Sequence, residues 1–501
     1  MIDEGRPTDD DPGQTIPGPT RVVIIGAGFS GIGTAIRLRC AGIEDVVVLE
    51  RAPEPGGEWR DSVHPDASCG RPSVLRSFWF TRDPAWSHRY TPGVDVRAYM
   101  RGVITRHGLD GRIRYGYNVN GLDFDEARGT WHVRVSTSSG EEESITARSV
   151  VVATVPFSNA SRREIVGADD FRGHKIDGTR WDAGIDVTGL TVAVVGTGTN
   201  AVQMIPELVD RARHVTVFQS APRWVLPHPQ YGTAGWRRSL FEKLPLAEDL
   251  ARSAHFWAYE SIGYGLVRTT GLTTALEQVS KIQLRLQVKD RWARRQLAPD
   301  NRACRPRLLI SNDFLPALDR DNCRLLTFPI IRLTEHGILT VDGVERRFDT
   351  IVFDAPGEAG VPFPVRGCGA RLLQEEWVEG VYAYKSIHVS GYPNLHFTFG
   401  PNSGPYFYTA LAYLEAQIDY IVESVRTLER WGLRYIDVRK SAQDRFNAVV
   451  QRHLARTTWN SGCVTWPVGE DGFNPAAFPG LARQFRSQMT QFALSDYHAV
   501  P

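Results

Sequence analysis

Short runs of β-branched residues that end in glycine occur twice along the chain, and each is followed by a stretch with helical spacing. RVVIIGAGFSGIGTAIRLRCAGIEDVVVLER (21 to 51) passes from an apolar strand through Gly26, Gly28 and Gly31 into a helix carrying Ile36 and Leu38. It returns as a strand, VVVLE, closed by Glu50. TVAVVGTGTNAVQMIPELVDRARHVTVFQ (191 to 219) repeats the design with Gly196, Gly198 and Ala201 and a second strand VTVFQ. Between 230 and 300, Leu, Ile and Trp recur at helical spacing among Arg and Glu (LTTALEQVSKIQLRLQVKDRWARRQL), which predicts a helical insertion. Residues 1 to 19, rich in Asp, Pro and Gly with little to bury, predict a mobile leader outside the fold.

The strand–glycine–helix order has a physical logic. Gly26 permits a tight turn, Gly28 lets backbone N–H groups approach a pyrophosphate at the helix N-terminus, and Gly31 lets helix and strand pack closely. Glu50, at the end of the second strand, is placed to accept hydrogen bonds from a ribose hydroxyl pair. Two such units imply an α/β fold with two Rossmann-like dinucleotide-binding domains, one for FAD and one for a nicotinamide cofactor.

Composition narrows the class. With 42% hydrophobic and 23% charged residues over 501 positions, the chain has enough apolar material for two or three domains. Lys+Arg 58 against Asp+Glu 57 leaves a net charge of +1, so no global field draws it to nucleic acid or to an anionic membrane. The basic run KDRWARR does not change this, being two turns of one predicted helix poor in aromatic residues. The six cysteines form no CxxC pair, which argues against a disulfide framework or a zinc site and suits a reducing cytosol. No stretch has the length and apolarity of a membrane span, and no signal peptide is evident; a cytoplasmic protein is expected.

Further segments carry a resemblance. APEPGGEWRD (52 to 61), PAWSHRY (84 to 90), FRGHKIDGTRWD (171 to 182), FQSAPRWVLP (218 to 227), RLLISNDFLPALDRDN (307 to 322), FTFGPN (397 to 402), LEAQIDYI (414 to 421) and TTWNSGCVTW (457 to 466) stand in one order along the chain. In that order and near that spacing they resemble the Baeyer–Villiger monooxygenases of the class B flavoproteins. The resemblance implies tightly bound FAD, reduction by NADPH, and a C4a-peroxyflavin that inserts oxygen beside a ketone or oxidises a sulfide or amine. It implies that Gly57 and Trp59 lie along the flavin. Trp466 would lie near the nicotinamide ribose, and Asn402 in a turn of the flavin domain. It also implies that Arg307 is the fixed cation beside the activated oxygen, a role suited to a guanidinium that stays protonated at any working pH.

The chain departs from the family pattern in several places. Asp177 stands where the fingerprint carries a histidine, and brings negative charge near an anionic cofactor. Gly70 stands where an aspartate usually pairs with the active-site arginine, with Asp66 the alternative acid. Ser220 and Pro306 replace two cations that grip the 2′-phosphate of NADPH, with Arg223, Arg302 or Arg305 as candidate substitutes and NADH preference as the other outcome. In the crossover segments, Val155 stands where the family has the glycine of ATG, and Pro356 and Glu358 fall where it has ATGF. Tyr406, Phe407 and Tyr408 are read either as extra core or as a reshaped substrate pocket. Several of these changes fall on the nicotinamide side, while the FAD-side glycines and acid remain.

The expected organisation is an FAD half over 20–155, an NAD(P)H-binding domain over 156–355 containing the helical insertion, and a C-terminal part, 356–501, that completes the FAD domain. The expected function is a Baeyer–Villiger-type monooxygenase acting with dioxygen on a ketone-bearing or otherwise oxidisable apolar small molecule, in specialised metabolism. The alternative is an FAD-dependent oxidase or redox-neutral isomerase or cyclase that needs no NAD(P)H.

Overall fold

The structure is a computed structural model that describes residues 20–61, 73–82, 86, 92–154, 165–178, 185–228, 241, 243–268, 271–299, 308–354, 361–378, 380–404, 410–457, 459 and 472–501. The first glycine turn joins β1 (Thr20–Ile25) to α1 (Phe29–Cys40), which returns as β2 (Val46–Glu50). The chain continues through α2 (Glu58–Asp61), α3 (Gly93–Arg106), β3 (Ile113–Tyr115), β4 (Tyr117–Asp125), β5 (Thr130–Thr137) and β6 (Glu142–Val152). β1 lies between β2 and β6, parallel to both, and β3 extends the parallel side beyond β2. Parallel strands covered on both faces read as unbroken apolar runs. In β1, Val22 and Ile24 pack with α1 while Val23 and Ile25 face Trp131 and Val133 on the other side.

β6 changes character along its length. Its first half alternates exposed and buried positions and pairs antiparallel with β5; from Ala147 onward it is mostly buried and pairs parallel with β1. One strand thus carries a hairpin layer into the nucleotide-type sheet.

The second unit has β7 (His174–Asp177), β8 (Thr191–Val195), α4 (Thr199–Arg211) and β9 (His214–Phe218). A short parallel pair follows, β10 (Trp224–Leu226) with β11 (Leu308–Ile310), and then β12 (Cys323–Leu326). An antiparallel trio, β13 (Ile330–Thr334), β14 (Gly337–Thr340) and β15 (Glu345–Arg347), leads into β16 (Thr350–Phe353). The order β12-β9-β8-β16-β7 is parallel throughout. After residue 361 the chain returns to the first sheet, where β17 (Val365–Arg366) pairs with β4 and β18 (Leu395–Phe397) with β6. Helix Ala410–Arg430 packs Tyr413, Leu414, Ile418 and Ile421 into the same core as α1. On β18, His396 Nδ1 meets His388 Nε2 at 2.7 Å, and His388 Nδ1 meets the Tyr497 hydroxyl at 2.8 Å. Burial pushes His388 well down and His396 down to about 3, so this chain of rings is a neutral tie between β18 and the C-terminal segment.

Between the two sheets stand helices Pro245–Arg268, Gly271–Gln287 and Arg291–Leu297, inside the span where helical spacing predicts an insertion. They bond to both sides. Toward the first sheet, Arg252, 1% exposed, donates to the Ser77 hydroxyl (2.9 Å) and carbonyl (2.7 Å) and lies 4.5 Å from the Trp79 ring centroid. Glu260 accepts from the amides of Ala482 and Arg483. Toward the second, the Val225 amide donates to Ser280 Oγ, and Gln283 and Gln287 donate to the carbonyls of Ser311 and Asn312. Among the described residues no helix is long and apolar enough to cross a membrane.

Two expectations follow. Arg252→Ala leaves a buried carbonyl and hydroxyl without their donor and is expected to lower stability by about 2–5 kcal/mol in urea titrations. Glu415, whose Oε1 accepts from the Trp79 amide at 2.6 Å, is pushed up to about 7 by burial, with that amide and Arg252 opposing. A raised carboxyl stabilises fully below its ordinary value near 4.5 and loses that contribution as pH climbs through about 7. Wild type should therefore lose stability relative to Glu415→Gln between those pH values, by on the order of 3 kcal/mol at most. Parallel stability–pH curves for the two proteins would contradict the assignment.

Candidate functional site

Both glycine turns sit at the carboxyl ends of parallel strands, the edge at which open α/β sheets bind ligands. At the first, Gly26 has φ +107° and donates to Leu49 O at 2.7 Å; a Cβ there would lie 2.6 Å from Ala153 O. A Cβ on Gly31 would collide with the Gly26 carbonyl oxygen, so α1 reaches the turn only because position 31 is bare. Gly28 is the N-cap of α1 and makes no side-chain cap bond. Gly57 (φ +55°) faces it, with a Cβ on Gly57 falling 3.1 Å from Gly28 Cα, and the Gly56 amide donates to Ala27 O at 3.1 Å. The GGxW segment is thus bonded directly to the first turn.

Glu50, buried at the end of β2, accepts from Ala27 N (2.8 Å) through Oε2 and from Ala52 N (3.0 Å) and Arg60 Nη1 (3.0 Å) through Oε1. Donors among the described residues use three of a carboxylate's roughly four acceptor positions, which leaves room for one further donor on Oε2 rather than for a pair. Arg60 also binds Asp61 and the Glu54 carbonyl, so it locks Glu50 in place. Trp59 packs against the first core, and the Arg76 guanidinium lies 4.7 Å from its ring centroid. Burial pushes Arg76 down to about 10, opposed by Glu58, and its Nε has no hydrogen-bond partner among the described residues.

The second turn uses the same backbone scheme. Gly196 (φ +117°) donates to Phe218 O at 2.9 Å, as Gly26 does to Leu49 O. The strand alongside also matches, since Asp354 N donates to Val195 O (3.0 Å) as Ala153 N donates to Ile25 O (2.9 Å). At this shared place the first unit has alanine and the second has an acid. The Asp354 carboxylate accepts from Gly198 N through Oδ2, from Ala201 N (2.8 Å) through Oδ1, and from the Asn200 amide. A Cβ on Gly198 would overlap Oδ2. Burial pushes Asp354 up, opposed first by the charge of Arg223; burial pushes Arg223 down, opposed by Asp354.

Of the other residues singled out in the sequence, Asp177 ends β7 in register with Phe353, the residue before Asp354, and is half-buried. Ser220 is exposed just beyond β9. Asn402 (φ +57°) is buried and donates to the carbonyls of Asn474 and Ala477. Arg307, Trp466, Tyr406, Phe407 and Tyr408 lie outside the described residues, as do Asp66, Gly70, Val155, Arg302, Arg305, Pro306, Pro356 and Glu358. Leu308, which follows Arg307, pairs with Trp224, which follows Arg223. Arg60, Arg76 and Asp354 were not singled out. Laying SVVVA (149 to 153) against TIVFD (350 to 354) would have exposed the last of them.

The family described as pyridine nucleotide-disulphide oxidoreductase matches residues 23–251. That range holds Cys40 and Cys69 alone and no CxxC pair, so the match concerns the nucleotide folds and not a redox disulfide. A Baeyer–Villiger monooxygenase of Streptomyces coelicolor is 32% identical over 485 residues, covering 96% of this chain and 92% of its own. This chain belongs to the Baeyer–Villiger monooxygenase family. A second Baeyer–Villiger monooxygenase, from Pseudomonas aeruginosa, is 31% identical over 95% of this chain and 91% of its own. The fold of this family member matches a crystal structure of OTEMO complexed with FAD and NADP at a TM-score of 0.82, with 22% identity over 96% of this chain and 99% of that one. As a Baeyer–Villiger monooxygenase the protein is a flavin-dependent oxidoreductase.

Gly31→Ala forces α1 away from the Gly26 carbonyl and is expected to destabilise the protein by about 1–3 kcal/mol, read as a lowered urea midpoint. Alanine already occupies the matching place in α4, at Ala201, so the second turn is the internal control for how much space each helix has.

Proposed function

We propose that this protein is a cytoplasmic monooxygenase that holds FAD at its first glycine turn and takes reducing equivalents from NADPH or NADH. With dioxygen it oxidises an apolar small molecule bearing a ketone or an oxidisable heteroatom. The observation that carries the reading is the first turn itself: the bare faces of Gly28 and Gly57 meet there, and Gly28, the N-cap of α1, brings no side chain of its own. That donor set fits a dinucleotide pyrophosphate, whose charge the amide end of α1 favours. The segments 20–155 and 356–501 are proposed to form the FAD domain, and 156–355 the nicotinamide domain.

Bound FAD supplies a two-electron redox centre at which dioxygen is activated. The protein's part is to bind, orient and exclude water. Glu50, locked by Arg60, offers its remaining acceptor position to one ribose hydroxyl. The segment Gly56–Trp59, tied to the turn by the Gly56 amide and backed by the Arg76 guanidinium, would lie along the cofactor. Arg307 is assigned to hold negative charge that develops on the reacting oxygen, because a guanidinium is cationic throughout the working pH range. Tyr406, Phe407 and Tyr408 are assigned to the substrate pocket. Trp466, Ser220 and Arg223 are assigned to the nicotinamide side. The second turn does not fit a pyrophosphate as it stands, because Asp354 already holds its amides.

The test is anaerobic mixing of the FAD-loaded enzyme with NADPH and with NADH, followed by aerobic incubation with ketones and sulfides and detection of products that have gained one oxygen. Bleaching of the flavin by at least one nucleotide, and oxygenated product, are expected. Arg307→Ala should keep its FAD and its bleaching yet lose product formation by about 100-fold or more. Turnover of a substrate with no bleaching by either nucleotide would instead indicate an oxidase or a redox-neutral isomerase or cyclase.

A further inference from the structure

The two turns of this chain are controls for each other. Their glycines bond to equivalent carbonyls and their neighbouring strands end in equivalent amide-to-carbonyl bonds; the difference facing the helix N-terminus is Ala153 in one and Asp354 in the other. A helix N-terminus presents unpaired amides and partial positive charge, so it takes whichever anion is nearest. At α4 that anion is part of the protein. Its two oxygens engage Gly198 and Ala201, the positions of the glycine fingerprint that would otherwise face a phosphate. Resting on the reading that a nicotinamide dinucleotide is the reductant, we propose that Asp354 is an internal competitor for the phosphate-binding amides of the second turn. It must leave them before the dinucleotide binds, and so it sets this enzyme's affinity for its reductant.

Charge around the turn supports the assignment. A pyrophosphate brings two negative charges to amides that already neutralise a carboxylate, and like charges in a partly buried site repel strongly. Asp177, on the strand beside β16, adds a second acid to the same sheet edge, at the position where the family fingerprint has a histidine. Arg223, the nearby cation available to a phosphate, feels Asp354 as its opposing charge, so the carboxylate draws on the guanidinium as well as on the amides. In exchange, Asp354 satisfies buried amides whenever no nucleotide is present, which stabilises the empty enzyme.

The experiment compares FAD-loaded wild type, Asp354→Ala and Asp354→Asn by calorimetric titration with NADP+ and by thermal unfolding with and without NADP+. Asp354→Ala, which reproduces the residue of the first unit, should bind NADP+ about 10- to 100-fold more tightly, as expected when a competing charge-assisted contact is removed. It should unfold at a lower temperature than wild type without NADP+ and recover the difference with it. Asp354→Asn keeps the shape without the charge, should show a smaller gain in affinity, and carries the test if the alanine variant does not fold. Affinity in the variants equal to or weaker than wild type overturns the proposal, leaving Asp354 as a structural cap; so does an absence of NADP+ binding in all three proteins with FAD still bound. Failure of the functional reading is seen separately, as an absence of flavin bleaching by NADPH and NADH in wild type and variants alike.

Discussion

Amide N–H groups at the start of a helix cannot all be paired within the helix, and when the helix springs from the end of a buried parallel strand they need an acceptor from elsewhere, for which an anion is especially favourable. The protein is organised around two such ends. At both, a glycine with positive φ turns the chain so sharply that the end of a neighbouring strand packs against it, through the Ala153 carbonyl at the first and the Asp354 side chain at the second. What differs is the source of negative charge. The first turn lends the Ala27 amide to Glu50 and has Ala153 at the place where the second has Asp354, which takes the amides of Gly198 and Ala201. A common backbone is therefore tuned by single side chains at the ends of neighbouring strands.

The rest of the architecture holds these two ends in a fixed relation. β18 must return to β6 for the first sheet to be complete, and the neutral His388–His396–Tyr497 chain ties that return to the C-terminal segment. The helices from 245 to 297 bond to the first sheet's side through Arg252 and Glu260 and to the second through Ser280, Gln283 and Gln287. These polar contacts stand beside apolar ones, with Leu284, Val288 and Leu297 in the second core and Phe256 against the first, and buried polar contacts are demanding in geometry because each lost partner costs more than the bond itself contributes.

The departures from the family pattern also become coherent. Asp177 alone suggests an awkward charge near an anionic cofactor; with Asp354 one strand over, two acids stand at the carboxyl edge of the second sheet. Arg223, considered from sequence as a replacement for a lost phosphate-binding cation, already balances one of them. The second parallel sheet carries its own internal electrostatics, while the first keeps the plainer arrangement.

Much was legible in the linear order of residues. Both βαβ units, their glycines, the closing Glu50 and the helices described between 245 and 297 could be read directly, because strand and helix periodicity and the steric demands of a turn are written within some thirty neighbouring residues. The family resemblance rested on segments of the same local kind. Contacts between distant segments could not be read this way. Asp354 meets Ala201 across 153 positions and Arg252 meets Ser77 across 175. No local pattern marks an aspartate as the anion a far-off helix will capture. That choice is made only when parallel strands bring the ends of β8 and β16 side by side, so the presence of a phosphate-type turn belonged to the sequence and its occupant to the tertiary structure.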